Sequence, residues 1–259
     1  MSGAEAVLAL VLVEWAGGLL GAAGWSQSWS VVRRGHFKIV AWTALAFATG
    51  GYFALDASIA DRSITTAAVI ALIVCSALYL AAQYVRTEMV GAVVGIAGAA
   101  VACVALIGAA TLLPAWSAWL AALGLIAGLV LLGGVTNGML LGHWYLNQPG
   151  LKPWALGRLT DATLAGIVVA VILGVVSAGK LANASTEGAV LGLPGFGESF
   201  SMVFFAAWLA VAGLTAGVVW AARRCVKIKS IQSATGLFYV ALLTAGVSEF
   251  LVRYLMVNA

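Results

Sequence analysis

SAWLAALGLIAGLVLLGGVTNGMLLGHWYL, residues 117–146, runs for 30 positions without one Asp, Glu, Lys or Arg. As an α-helix, rising 1.5 Å per residue, such a stretch is about 45 Å long, which spans the hydrocarbon core of a bilayer and both headgroup layers. Seven further stretches are apolar enough and long enough to do the same: 4–24, 37–58, 64–85, 90–113, 157–179, 199–222 and 232–257. The expected fold is all-α: a polytopic integral membrane protein with about eight transmembrane helices in one domain over 1–259.

Composition points the same way. Of 259 residues, 63% are hydrophobic and 8% are charged, against about 25% charged in soluble domains. Mean hydropathy is +1.08. The 31 glycines suit helices that pack closely in lipid, where small residues let backbones approach. The net charge of +4 comes from short segments between the apolar runs. It forms no dense basic face, and no nucleic-acid partner is expected. Cys75 and Cys103 sit in apolar runs and Cys225 in the basic segment Arg223 to Ser230, which reads as a loop; none has metal-ligand or redox spacing. The N-terminal stretch lacks a basic leader and carries Glu5 and Glu14, so it is expected to be the first span rather than a cleaved signal.

Lys and Arg accumulate on the cytoplasmic side of membrane proteins. After spans 1, 3, 5 and 7 come Arg33, Arg34, Lys38, Arg86, Lys152, Arg158, Arg223, Arg224, Lys227 and Lys229; the other side holds Arg62, Lys180 and Arg253. This distribution places both termini on the non-cytoplasmic side, in a bacterial cytoplasmic membrane. Trp25, Trp29, Trp116, Trp119, Trp144 and Trp154 fall near span ends, as interfacial aromatics do. A weak repeat of four plus four spans, about 1–113 and 117–259, is suggested by Gly17-Gly18-Leu19-Leu20-Gly21 and Gly138-Met139-Leu140-Leu141-Gly142.

Ionisable groups at membrane depth are costly and mark functional candidates. Glu14 lies mid-way along span 1; it is either a proton relay, for example from a quinol, or a hydrogen-bonded packing group. Glu249 and Arg253 share a face of span 8 at a four-residue spacing; they form either a neutralising ion pair or a proton-exit group. His143, Tyr145, Arg158 and Asp161 crowd the junction of spans 5 and 6. An imidazole, a phenol and a carboxylate there suit a quinone carbonyl and its proton; the alternative is interfacial anchoring, with Asp161 as an N-cap. His36 stands among Arg33, Arg34 and Lys38 and reads as part of a solvated basic loop. A haem b held by His36 and His143 is not expected, nor is another metal site. Soluble-enzyme motifs are absent. Gly195-Phe196-Gly197 is too short a signal, and the sequon Asn183-Ala184-Ser185 matters only in a eukaryotic secretory route.

The C-terminal run Ser248-Glu249-Phe250-Leu251-Val252-Arg253-Tyr254, the eight-span plan with both termini outside, and the Ala16-Gly17-Gly18 step resemble the membrane-anchor subunits of dimethyl sulfoxide reductase-type enzymes. That resemblance implies quinol binding and transfer of its electrons to an iron–sulfur partner. It extends to Glu249 and Arg253 and to no other site residue. The function expected first is an integral membrane subunit of a respiratory-type electron-transfer complex, binding quinone or anchoring redox partners, and at most a membrane part of an oxidoreductase. A proton-linked permease and a non-catalytic structural subunit are the alternatives. Membrane lipids and other subunits are the expected partners.

Overall fold

The computed structural model describes residues 3–58, 64–85, 87–113, 116–148, 150–182 and 198–258. Arg62, Arg86, Pro114, Pro149, the Asn183 sequon and Gly195 to Gly197 lie outside the described residues.

The eight apolar stretches form α1 (Gly3–Gln27), α2 (Arg34–Ser58), α3 (Ile64–Ala82), α4 (Glu88–Thr111), α5 (Ala118–Asn147), α6 (Trp154–Val176), α8 (Glu198–Lys227) and α9 (Ile231–Val257). A four-residue helix, α7 (Ala178–Leu181), follows α6. The eight long helices are each long and apolar enough to cross a membrane, and the chain is an all-helical membrane protein; among the described residues there is no strand.

Several helix ends extend past their apolar cores. The segment from Arg223 reads as a loop in sequence, yet α8 continues through Arg223, Arg224 and Cys225 to Lys227. Lys and Arg are good helix formers, and their charge suits the negative end of the helix dipole. The stop comes where Lys229 takes φ 62° and Ser230 N–H donates back to Cys225 O at 2.9 Å, a left-handed closure of the Schellman kind. Likewise α2 begins at Arg34, so His36 is helical rather than part of a solvated loop. Asp161 lies well inside α6, whose N-cap is Pro153, and so is no cap itself.

The helices pack as two rings of four. In the first ring α1 touches α2, α2 touches α3, α3 touches α4, and α4 closes on α1. The second repeats that order with α5, α6, α8 and α9. Between them α1 lies on α5, with α4 against α5 and α1 against α9. At this seam the backbones nearly touch. A Cβ on Gly18 would stand 2.0 Å from Leu129 O, and one on Gly133 2.1 Å from Gly18 O, so only glycine fits at either place. The two glycine steps of the proposed repeat each face the last helix of their own ring. Gly17 and Gly21 meet Ala102 and Ala99 of α4, while Gly138 and Gly142 meet Phe238 and Thr235 of α9. α1, apolar on all sides, is the most enclosed span, and α8 the least.

Candidate functional site

The seam holds a buried charge cluster. Arg253 of α9 donates from Nε to Glu14 Oε1 of α1 at 2.7 Å and from Nη2 to Glu249 Oε2 at 2.6 Å. Nη2 also donates to Gly124 O of α5 at 2.9 Å, and Nη1 reaches Met256 Sδ at 3.4 Å. Glu14 is 0% exposed, Glu249 1% and Arg253 2%. Helical spacing puts Glu249 and Arg253 on one face, and that face meets α1 and α5 where small residues leave room. A Cβ on Gly128 would fall 2.5 Å from both Arg253 Nη2 and Glu249 Oε2 and 3.0 Å from Glu14 Oε2. Gly128 is therefore the wall against which the cluster is built.

Two carboxyl groups face one guanidinium. With both ionised the cluster carries one net negative charge; with one proton added it is neutral. Removing charge from water inside a low-dielectric interior is expensive, so neutrality is favoured, and a group that can gain or lose one proton is at hand. Glu14 Oε2 is fully buried and has no hydrogen-bond partner among the described residues, as is true of Ser248 Oγ beside Glu249 on α9.

One cavity is lined by cluster residues, and a groove is lined by their chain neighbours. A cavity of about 30 Å³ is lined by Glu249 and Arg253 together with Gly124, Trp116, Ser177, Leu181, Trp208 and Met256. Trp116 closes it at the end of the bundle where α9 finishes, donating from Nε1 to Met256 O at 3.0 Å. On the outer surface, a groove of about 480 Å³ is lined by Trp15, Tyr239, Leu242, Leu243, Gly246, Val247, Phe250 and Leu251. Trp15 and Phe250 are the chain neighbours of Glu14 and Glu249. Trp15 is fixed by a bond from Nε1 to Thr136 Oγ1 at 2.7 Å and by Phe47 of α2, 5.0 Å away between ring centres.

Further polar groups collect at the other end of α1. Gln27 Nε2 donates to Gln83 Oε1 at 2.9 Å and Glu88 Oε2 at 2.8 Å, Tyr79 Oη donates to Gln27 Oε1 at 3.0 Å, and Arg34 Nε donates to Glu88 Oε1 at 2.6 Å. Beside this network, His36 Nε2 and Asn137 Oδ1 are 2.8 Å apart, and Asn137 Nδ2 lies 3.3 Å from Ser26 Oγ. His36 is 1% exposed, facing the bundle interior. None of these pairings is visible in sequence, because each joins residues from distant parts of the chain.

The four residues at the α5–α6 junction do not share a site. His143 is exposed. Tyr145 Oη donates to Lys152 O at 2.7 Å. Arg158 stacks on Trp154 at 4.7 Å and Trp29 at 5.6 Å. Asp161 pairs with Arg223 of α8 at the surface. Two residues apart on a helix means about 200° of rotation, so His143 and Tyr145 point to opposite sides. Among the described residues no three His, Cys, Asp or Glu side chains gather as a metal site.

No protein-family model, curated protein or solved structure matches this chain.

Proposed function

We propose that this protein is the integral membrane subunit of a respiratory-type electron-transfer complex, and that it handles the proton of a quinol at the Glu14–Arg253–Glu249 cluster. The observation that carries this reading is the buried, unpartnered Glu14 Oε2, next in the chain to the groove-lining Trp15. Intramembrane carboxylates paired across helices are common in proton relays. The groove volume falls within the usual range for small-molecule sites, and its aromatic and aliphatic lining fits a ring with an isoprenoid tail. A quinol supplies electrons and protons together when it is oxidised. In this reading Trp15 and Phe250 hold the ring, Glu14 Oε2 accepts a proton, and Arg253 keeps both carboxyl groups in place. The electrons leave to a partner subunit. The cation distribution supports a topology with both termini, and with them the Trp116 end of the bundle, outside the cytoplasm. The proposal moves the site away from exposed His143 and from Tyr145, Arg158 and Asp161, whose side chains engage separate partners.

The experiment is purification in mild detergent followed by quinone extraction and a search for redox-active subunits. Quinone and redox partners should copurify, and Trp15→Ala should lose the quinone. A stable chain that binds no quinone and has no partner overturns the reading.

One observation favours a second reading, a proton-linked permease. Two four-helix rings repeat one arrangement and place their ionisable cluster on the seam, and transporters built from repeats bind at the repeat interface. Proton flux in proteoliposomes, abolished by Glu14→Gln, would select this reading over the first.

A further inference from the structure

We infer that the cavity beside Arg253 and Glu249 is hydrated and is the path by which the Glu14–Arg253–Glu249 cluster exchanges its proton with the aqueous phase at the Trp116 end of the bundle. The inference rests on the proton-handling reading for its purpose but not for its geometry. Its volume of about 30 Å³ has room for about two water molecules, and water enters a cavity of that size when polar groups line it. Here the lining includes a carboxylate and a guanidinium that are almost wholly removed from the surface, and the Ser177 hydroxyl. The guanidinium uses Nε on Glu14, Nη2 on Glu249 and Gly124 O, and Nη1 only on a thioether. A thioether is a weak acceptor, so Nη1 has donor capacity left for water. Glu249 and Arg253 are part of the lining, and Glu14 is bonded to Arg253. A proton reaching Glu249 from this water enters the cluster beside Glu14, since the Oε2 atoms of both carboxyl groups lie against Gly128. No bond other than O–H is made or broken: water gives a proton to a carboxylate oxygen or takes one back. At the opposite end of the bundle the Gln27 amide is fully engaged by Gln83, Glu88 and Tyr79.

Hydroxyl-radical labelling of the full-length protein in lipid nanodiscs tests hydration, because radicals made from water mark the side chains beside it. Met256 and Trp208, both buried, should be oxidised severalfold faster, after correction for intrinsic reactivity, than the equally buried Phe37 and Phe238. Two variants narrow the cavity. Ser177→Leu replaces a lining hydroxyl with a bulkier apolar side chain. Gly124→Ala adds a methyl that meets Arg253 Nη1 at 3.8 Å, an ordinary contact that leaves the cluster intact. Both should reduce labelling of Met256 and Trp208. Infrared spectroscopy then follows deuterium exchange of the protonated carboxyl band, assigned by its loss in Glu14→Gln or Glu249→Gln. Exchange should slow severalfold in both narrowed variants. Protection of Met256 and Trp208 equal to that of the two phenylalanines overturns the inference, as does exchange at the unaltered rate in both variants. A missing carboxyl band with normal labelling overturns the proton-handling reading and the exchange role together, and the labelling separates that result from a dry cavity.

Discussion

The seam cluster and the α5–α6 junction are opposites. At the seam, Glu14 and Arg253 are 239 positions apart in the chain and meet at 2.7 Å. At the junction, His143, Tyr145, Arg158 and Asp161 lie within one short stretch of sequence, yet His143 is exposed and the other three engage separate partners. Nearness in sequence gathers polar groups at a membrane surface, where each finds its own lipid, solvent or neighbour. Burial forces the few ionisable groups inside to find each other, because nothing else there can compensate their charge.

This contrast is easiest to break at Arg253. Arg253→Met leaves two carboxyl groups facing each other in the interior and should cost about 3–5 kcal/mol, the usual penalty for breaking a buried pair. The measurement is unfolding in mild detergent. The triple variant that also carries Glu14→Gln and Glu249→Gln should recover most of the loss. Equal destabilisation of both would mean that packing, not charge, dominates at the seam.

Gly128→Ala comes next. Its new methyl would press on Arg253 Nη2 and Glu249 Oε2 at 2.5 Å, an overpacking cost of about 1–3 kcal/mol. Unchanged stability there would show that the cluster has slack. Asn137→Leu should cost a similar amount, about 1–3 kcal/mol, because His36 would keep a buried ring nitrogen without a partner; the same unfolding assay measures it.

The junction supplies the small end of the series. Asp161→Asn removes an exposed pair with Arg223 and should leave the unfolding transition almost unmoved, with any effect smaller still at high salt. His143→Ala should fall within about 0.5 kcal/mol of the parent. A large loss of stability from His143→Ala, or loss of bound quinone, would return the functional site to the junction and reverse the comparison.

The legible part of the site was the face shared by Glu249 and Arg253, since a four-residue spacing on a helix requires it. The arrival of Glu14 on that face was not legible. Nor was the role of Gly128, one glycine among 31, until the atoms around it were placed. His36 read as a loop residue because its neighbours are basic, but α2 starts at Arg34 and turns His36 inward onto Asn137. Charge near a span end does not tell which way one side chain points; the helical phase does.

By itself the sequence determined the number of spans and their approximate limits, because a stretch of about 20 apolar residues has few other places to go. It could not determine which face of each helix meets protein and which meets lipid. Lipid tails are as apolar as leucine, so both faces look alike in composition. Only the tertiary structure decided that, through backbone contacts such as Gly18 on Gly133. With those faces chosen, Glu14, Glu249 and Arg253 were brought to one point.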